Sequence, residues 1–262
     1  MKLLEHIPFE LDAGLAPAGR VGLIMLSSDY TIEAEFHELF RHVPQLGLFG
    51  TRVMNDDQVT PETLRAMAPR LREAAAMILP SATLDVVAFA CTSASMAIGE
   101  ETVFERIREA KPGARCTTPI TAAFAAFRAL GAQRIAVLTP YRADVNRIVA
   151  DYISARGFEV PVFGSFNEES DAAVGRITPA STRRGIATVI ADHEVDAVFV
   201  SCTSVRLAGV VAPIEAEIGL PVTSSNHAMA WHAMRLAGVE TALPQLGRLY
   251  ELGLADAPVA AH

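Results

Sequence analysis

Residues 85–97 read DVVAFACTSASMA and residues 196–208 read DAVFVSCTSVRLA. The two stretches align at one offset, Cys202 standing 111 positions after Cys91. Asp85 falls over Asp196, Val87 over Val198, Thr92-Ser93 over Thr203-Ser204 and Ala97 over Ala208. Each opens as a continuous apolar run, the pattern of a strand buried on both faces. Each run ends at Cys-Thr-Ser. Any two buried strands share a small vocabulary. That does not account for two of the chain's three cysteines falling at one register with the same two residues behind them.

The flanks repeat in the same order. Thr60-Pro61 and Thr178-Pro179 each open a helix, with Pro in the first turn. Arg128-Ala-Leu-Gly131 is echoed by Arg235-Leu-Ala-Gly238. Between these marks the chain alternates strand and helix. Strands are expected at Arg20–Leu26, Leu48–Met54, Leu84–Ala90, Ile135–Leu138, Glu159–Phe163, Asp196–Val200 and Pro221–Thr223. Helices are expected at Thr31–Phe40, Thr60–Leu79, Ala122–Leu130, Val145–Ala155, Thr178–Ala191, Ala212–Ile218 and His227–Leu236, with another closing at Ile107–Ala110. Apolar strands separated by helices predict an α/β fold with parallel sheets covered on both faces. The repeat divides it into two similar lobes, 1–119 and 120–225, related by a pseudo-twofold. Residues 226–262 are expected to form C-terminal helices packing back on the first lobe.

The chain has 262 residues, 51% of them hydrophobic, and a formal net charge of -8. That is enough apolar material for a sizeable core, and the acidic balance argues against nucleic acid, which needs a concentrated positive surface. No apolar run reaches the roughly 18 residues a membrane helix requires. Glu5, Glu10 and Asp12 near the start do not read as a secretory leader, so a cytoplasmic location is expected. Three cysteines, an odd number, do not form a disulfide framework. Metal is not expected. His227 and His232, like His37 and His42, are five apart and do not share a helical face, and no Cys-x-x-Cys occurs. Glycine-rich phosphate loops and a Gly-x-Ser-x-Gly elbow are absent too.

Each Cys-Thr-Ser therefore sits where a buried strand ends and a helix is expected to begin. In open α/β sheets ligands bind beyond the carboxyl ends of strands. A helix start offers free N–H groups that bind carboxylates and lower a thiol pKa. Thr92, Ser93, Thr203 and Ser204 add hydroxyl donors. Two such places facing each other across a cleft would put two thiols on opposite sides of one small carboxylate. The plain alternative is that Cys91 and Cys202 are buried core residues, the common fate of a free cysteine. Cys116 has no counterpart in the second half and reads as a core thiol. Asn55-Asp56-Asp57 reads as a solvated loop and Arg183-Arg184 as an exposed helix face. Asn226-His227 reads either as reaching the cleft or as a helix cap at Asn226.

Several stretches resemble one known superfamily. They are Ser27-Ser28 after the first strand, Ala90-Cys91-Thr92-Ser93, Leu138-Thr139-Pro140-Tyr141, Val174-Gly175-Arg176-Ile177 and Ser201-Cys202-Thr203. In this order, over nearly the whole chain, they resemble the aspartate/glutamate racemases, and within them the maleate isomerase and arylmalonate decarboxylase branch. The resemblance implies no cofactor, an active site between the lobes and a homodimer or homotetramer. It implies Cys91 and Cys202 as the catalytic pair, Tyr141 as a donor to a substrate carboxylate, and Ser28, Thr92, Ser93, Thr203 and Ser204 as substrate contacts.

Departures from the branch are informative. Arylmalonate decarboxylases keep only the second cysteine, and Cys91 supplies the first here. Maleate isomerases carry Asn where this chain has Asp29 and Asp171. That pattern, with Arg206, Ala208-Gly209-Val210 and Thr223-Ser224-Ser225-Asn226, is similar to ectoine-utilisation members. Asp29 and Asp171 either contact substrate, where a carboxylate would favour an amino or hydroxyl group, or cap neighbouring backbone N–H groups. The expectation is a cofactor-independent isomerase or racemase of a small carboxylate. The alternatives are a decarboxylase or other lyase working through a stabilised carbanion, and a non-catalytic carboxylate-binding protein.

Overall fold

Two parallel four-stranded sheets make up the frame of this computed structural model, which describes residues 1–56, 60–168 and 170–255. The first holds β1 (Gly19–Leu26), β2 (Leu46–Val53), β3 (Val86–Ala90) and β4 (Arg115–Thr117), in the order β2-β1-β3-β4. The second holds β5 (Arg134–Thr139), β6 (Glu159–Ser165), β7 (Ala197–Val200) and β8 (Val222–Ser224), in the order β6-β5-β7-β8. The orders match strand for strand, so the repeat seen in the sequence is a repeat of topology. The duplicated aspartates do one job in both halves. Asp85 Oδ2 accepts from the Arg20 N–H at 2.7 Å, and Asp196 Oδ2 accepts from the Arg134 N–H at 2.7 Å. Each ties the start of the cysteine strand to the start of its neighbour.

Helices cover both sheets. The first half carries α1 (Ile32–Phe40), α2 (Pro61–Arg65), α3 (Ala68–Met77), α4 (Thr92–Ile98), α5 (Glu100–Arg108) and α6 (Pro119–Leu130). The second carries α7 (Ala143–Ser154), α8 (Asp171–Val174), α9 (Pro179–Ile190), α10 (Val211–Ile218) and α11 (Ser225–Leu236). The expected single helix over Thr60–Leu79 is broken into α2 and α3. Pro69 causes the break, because its ring lacks an N–H and would clash with the carbonyl four residues earlier. Strand β4 and helix α8 are too short for periodicity to announce. Asp57 and residues 256–262 lie outside the described residues. Among the described residues no helix is long and apolar enough to cross a membrane.

The helices that follow β4 and β8 occupy equivalent places in the repeat. Phe124 and Phe127 of α6 pack in the core of the second sheet, Phe127 meeting Phe199 edge-on with ring centroids 5.5 Å apart. Ala228–Met234 of α11 pack in the core of the first sheet with β1, β3 and α1. Every residue of α11 from Ser225 to Arg235 is buried. A helix buried all round must satisfy its polar groups internally. The Trp231 indole donates to the Leu252 carbonyl, and the Arg235 guanidinium donates to the carbonyls of Val239, Thr241, Tyr250 and Leu252.

One carboxylate joins the halves. Glu35 of α1 accepts from the N–H groups of Leu207 and Ala208 at 2.6 and 2.8 Å, and from Asn226 Nδ2 at 2.8 Å. Removing it strands three buried donors. Glu35→Ala should lower the unfolding free energy by about 2–4 kcal/mol. Glu35→Gln keeps an acceptor for the two N–H groups and should cost roughly half as much on the same scale. Urea denaturation followed by circular dichroism measures both. A cost below about 0.5 kcal/mol for Glu35→Ala, the range of an ordinary surface substitution, would show that the joint is not structural.

Candidate active site between the two sheets

Cys91 directly follows β3, Cys202 stands two residues after β7, and both line one cavity of about 40 Å³. Thr92, Ser93, Tyr141, Asp171, Thr203 and Ser204 line it with them. Thus eight of the ten residues singled out in the sequence meet in one place. Ser28 and Asp29 are not among its walls; they lie just behind Asp171 on the loop after β1. The cavity also takes Leu26, Asn55, Asp56, Thr63, Leu64 and Met67.

The two thiols are held differently. Cys91 is the N-cap of α4, its sulfur accepting from the Ala94 N–H at 3.4 Å and lying 3.6 Å from the Ser93 hydroxyl. No helix follows Cys202, contrary to the expectation from the repeat. The chain makes a turn through Thr203 and Ser204, then a short 3-10 helix at Ala208–Val210, and only then α10. The Ser204 N–H donates to the Cys202 sulfur at 3.4 Å, and the Tyr141 hydroxyl bonds it from β5's end. Tyr141 is itself fixed by its backbone. Its N–H donates to Thr139 Oγ1 at 3.2 Å, and its carbonyl accepts from Asn146 Nδ2 at 2.8 Å.

Burial disfavours the thiolate at both cysteines, contrary to the lowered pKa expected of a helix start. Burial pushes Cys91 up to about 11 and Cys202 up to about 12. Removal from water disfavours the thiolate more than the short N–H and hydroxyl bonds favour it. At Cys202 the Asp171 carboxylate is the next largest influence and also opposes ionisation; at Cys91 its influence is minor. Burial likewise holds the Tyr141 hydroxyl well above its ordinary value, so it stays a donor.

The two aspartates part company. Asp29 Oδ1 accepts from the N–H groups of Thr31 and Ile32 at 2.8 and 3.1 Å, capping the entry to α1. Its Oδ2 is buried and has no hydrogen-bond partner among the described residues. Asp171 caps nothing. Ser170 caps α8, while the Asp171 carboxylate accepts from the Ser28 hydroxyl at 3.1 Å and from Ser204, facing the cavity. Burial raises its pKa above the usual carboxylate value. Beside it the Tyr30 hydroxyl donates to the Ala172 carbonyl at 3.0 Å, and Gly175 meets the Tyr30 ring so closely that a Cβ there would lie 2.6 Å from the hydroxyl.

Other readings are corrected or extended. Asn55, taken as solvated loop, accepts from the Ser27 hydroxyl at 2.8 Å and donates to the Ser28 hydroxyl at 3.0 Å, inside the site. It follows the carboxyl end of β2, so the rule that located the cysteines could have found it. The cap of α11 is Ser224, not Asn226. His227 is buried against Thr223 Oγ1 and the Leu246 carbonyl, away from the cavity. Cys116 is a buried core thiol on β4, and Arg183 and Arg184 are exposed, both as expected. Among the described residues no group of three or more His, Cys, Asp or Glu is arranged to hold a metal ion.

The arylmalonate decarboxylase family profile matches residues 21–250. The chain belongs to this family. Its relatives include the maleate isomerase of Nocardia farcinica (strain IFM 10152), 31% identical over 240 residues, covering 88% of this chain and 94% of that protein. The arylmalonate decarboxylase of Bordetella bronchiseptica is 32% identical over 147 residues, 55% of this chain and 61% of that one. Among solved structures, a cysteine-to-serine variant of the Nocardia farcinica maleate cis-trans isomerase carries a covalently bound succinylcysteine intermediate. It superposes with a TM-score of 0.80 at 27% identity, covering 89% of this chain and 98% of that one. The two-sheet α/β fold of this family member is that of the maleate isomerases.

The protonated thiols give a measurable signature. In the ligand-free protein, iodoacetamide should modify Cys91 and Cys202 slowly at neutral pH. The rate should climb about tenfold per pH unit to beyond about pH 10, because only the thiolate reacts and both pKa values lie above the free-thiol range. Mass spectrometry of the two peptides against pH provides the profile. A plateau below about pH 8 would mean a thiolate already formed in the resting site.

Proposed function

We propose that the protein is a cofactor-independent isomerase of a small carboxylate, using Cys91 and Cys202 as a thiolate and thiol pair. The observation that carries this reading is that both thiols, from equivalent strand ends of two matching sheets, line one small cavity. A non-catalytic binder needs no such pair, and the kinship with maleate isomerases supports the isomerase. Cys91 is the nucleophile or base and Cys202 the proton donor. Asp171 bears more heavily on Cys202 and keeps its proton in place, while Tyr141 orients the sulfur.

In the addition route Cys91 first gives up its proton to solvent, and the resulting thiolate forms a C–S bond to one alkene carbon. The displaced π electrons pass to the neighbouring carbon, which takes the Cys202 proton. The new single bond rotates, Cys202 takes the proton back, and the C–S bond breaks to release the isomer. In the racemisation route one thiolate removes the proton α to the carboxylate and the facing thiol returns one on the other side. Both routes use one thiolate and one thiol. The Thr92, Ser93, Thr203 and Ser204 groups hold the carboxylate and take up charge that develops on it.

The finer parts of the reading have their own support. Maleate, bound in the Pseudomonas putida S16 maleate isomerase structure, is the first ligand to test. The Asp29, Asp171 and Arg206 pattern supports a place beside ectoine-utilisation members. Three free thiols agree with a reducing cytoplasm. A homodimer or homotetramer would cover exposed apolar residues such as Leu3, Ile7 and Phe9. The lobes 1–119 and 120–225, with 226–262 as a brace, are the units the matching sheet orders suggest.

Cys91→Ala and Cys202→Ala should each lower turnover of an accepted substrate by about 10²–10⁴, the usual worth of a positioned acid or base. A substrate screen by proton NMR in deuterated water, run beside both variants, measures this. Solvent deuterium at the α-carbon identifies proton transfer; a mass increase on Cys91 in Cys202→Ser identifies addition. Full turnover in either alanine variant would sink the two-thiol mechanism.

A further inference from the structure

The cavity has an unbalanced charge. Among its described walls Asp56 and Asp171 are acidic, and there is no Lys, Arg or His. The Asp171 carboxylate is met only by neutral donors, the hydroxyls of Ser28 and Ser204. The nearest further charge acting on it is Asp29, another carboxylate. An ionised carboxylate is an acceptor with about four lone-pair sites, and two hydroxyls leave part of that capacity open toward the cavity. The hydroxyls of Thr92, Ser93 and Thr203 line the same cavity and are suited to a substrate carboxylate. The site therefore offers donors and an acceptor together.

From this arrangement we infer that Asp171 selects a substrate carrying an ammonium group, an amino acid, and rejects a dicarboxylate. The inference rests on the two-thiol reading and names the substrate class of that site. A second substrate carboxylate would face Asp171 with no cation between them, in a space that excludes most water. An ammonium there supplies the missing countercharge and up to three donors. Because Asp171 lines the same small cavity as both sulfurs, the ammonium lies on the reacting carbon or beside it. Asp29 stands apart from this role, since it is committed to capping α1.

The test uses two probes of matched length, β-alanine and succinate, which share one carboxylate and differ at the other end. Each is titrated as a protector of Cys91 and Cys202 against iodoacetamide at about pH 8.5, where an alkyl ammonium stays protonated. The full-length protein should be protected at least about tenfold more effectively by β-alanine, the worth of one charge-assisted hydrogen bond. Asp171→Asn keeps the shape and the Ser28 contact and should reverse that preference. Asp171→Ala serves if the first variant fails to fold, as judged by circular dichroism. Equal protection by both probes, or a preference unmoved by the substitutions, overturns the charge assignment and leaves the two-thiol cleft standing. Protection by neither probe overturns the assignment together with the cleft.

Discussion

The site depends on how the amino end of α11 is anchored. Ser225 Oγ lies 2.9 Å from Thr92 Oγ1, the residue after Cys91. The next residue, Asn226, donates through Nδ2 to the carbonyl of Thr203, the residue after Cys202, at 2.7 Å. The same amide group donates to Glu35, which in turn holds the Leu207 and Ala208 N–H groups. Two adjacent residues thus set the spacing of two thiols that stand 111 positions apart in the chain. All of these groups are buried, so a bond lost here exposes an unpaired polar atom rather than admitting bulk water. Burial of α11 on every side is what makes the anchor stiff.

That stiffness has an electrostatic counterpart. The frame that positions the sulfurs also removes them from water, and this holds both as thiols. A resting thiolate pair would repel itself, and a single resting thiolate would lie open to alkylation and oxidation. The helix-start N–H at Cys91 and the Tyr141 hydroxyl at Cys202 each favour the thiolate, but burial outweighs them at both sulfurs.

Much of the fold was legible because it repeats. The Asp85 and Asp196 runs marked two matching lobes, and their strand ends located the cysteines. What stayed hidden has physical reasons. The break at Pro69 lay inside an apolar pattern that continues through it. β4 and α8 are shorter than one period of any pattern. Asn55 carries the same polar signature whether it faces solvent or a cavity. The roles of Asp29 and Asp171 could not be separated by residue type. The difference lies in whether the next N–H groups turn back on the carboxylate, as Thr31 and Ile32 do on Asp29.

The repeat is also imperfect where the chemistry needs it to be. Cys91 opens a helix and Cys202 opens a turn, although the residues around them began alike. Ala94, Ser95 and Met96 continue as α4; Val205, Arg206 and Leu207 stand in their places and form no helix before the 3-10 helix at Ala208. The β-branched Val205 is a poorer helix former than Ala94. The Leu207 and Ala208 N–H groups are also drawn to Glu35 instead of into a helix. The outcome is one thiol facing helix N–H groups and one facing Tyr141 and Asp171. The two thiols therefore sit in unlike surroundings although the sequence around them repeats, and Asp171, which acts more strongly on Cys202 than on Cys91, is the largest part of that difference.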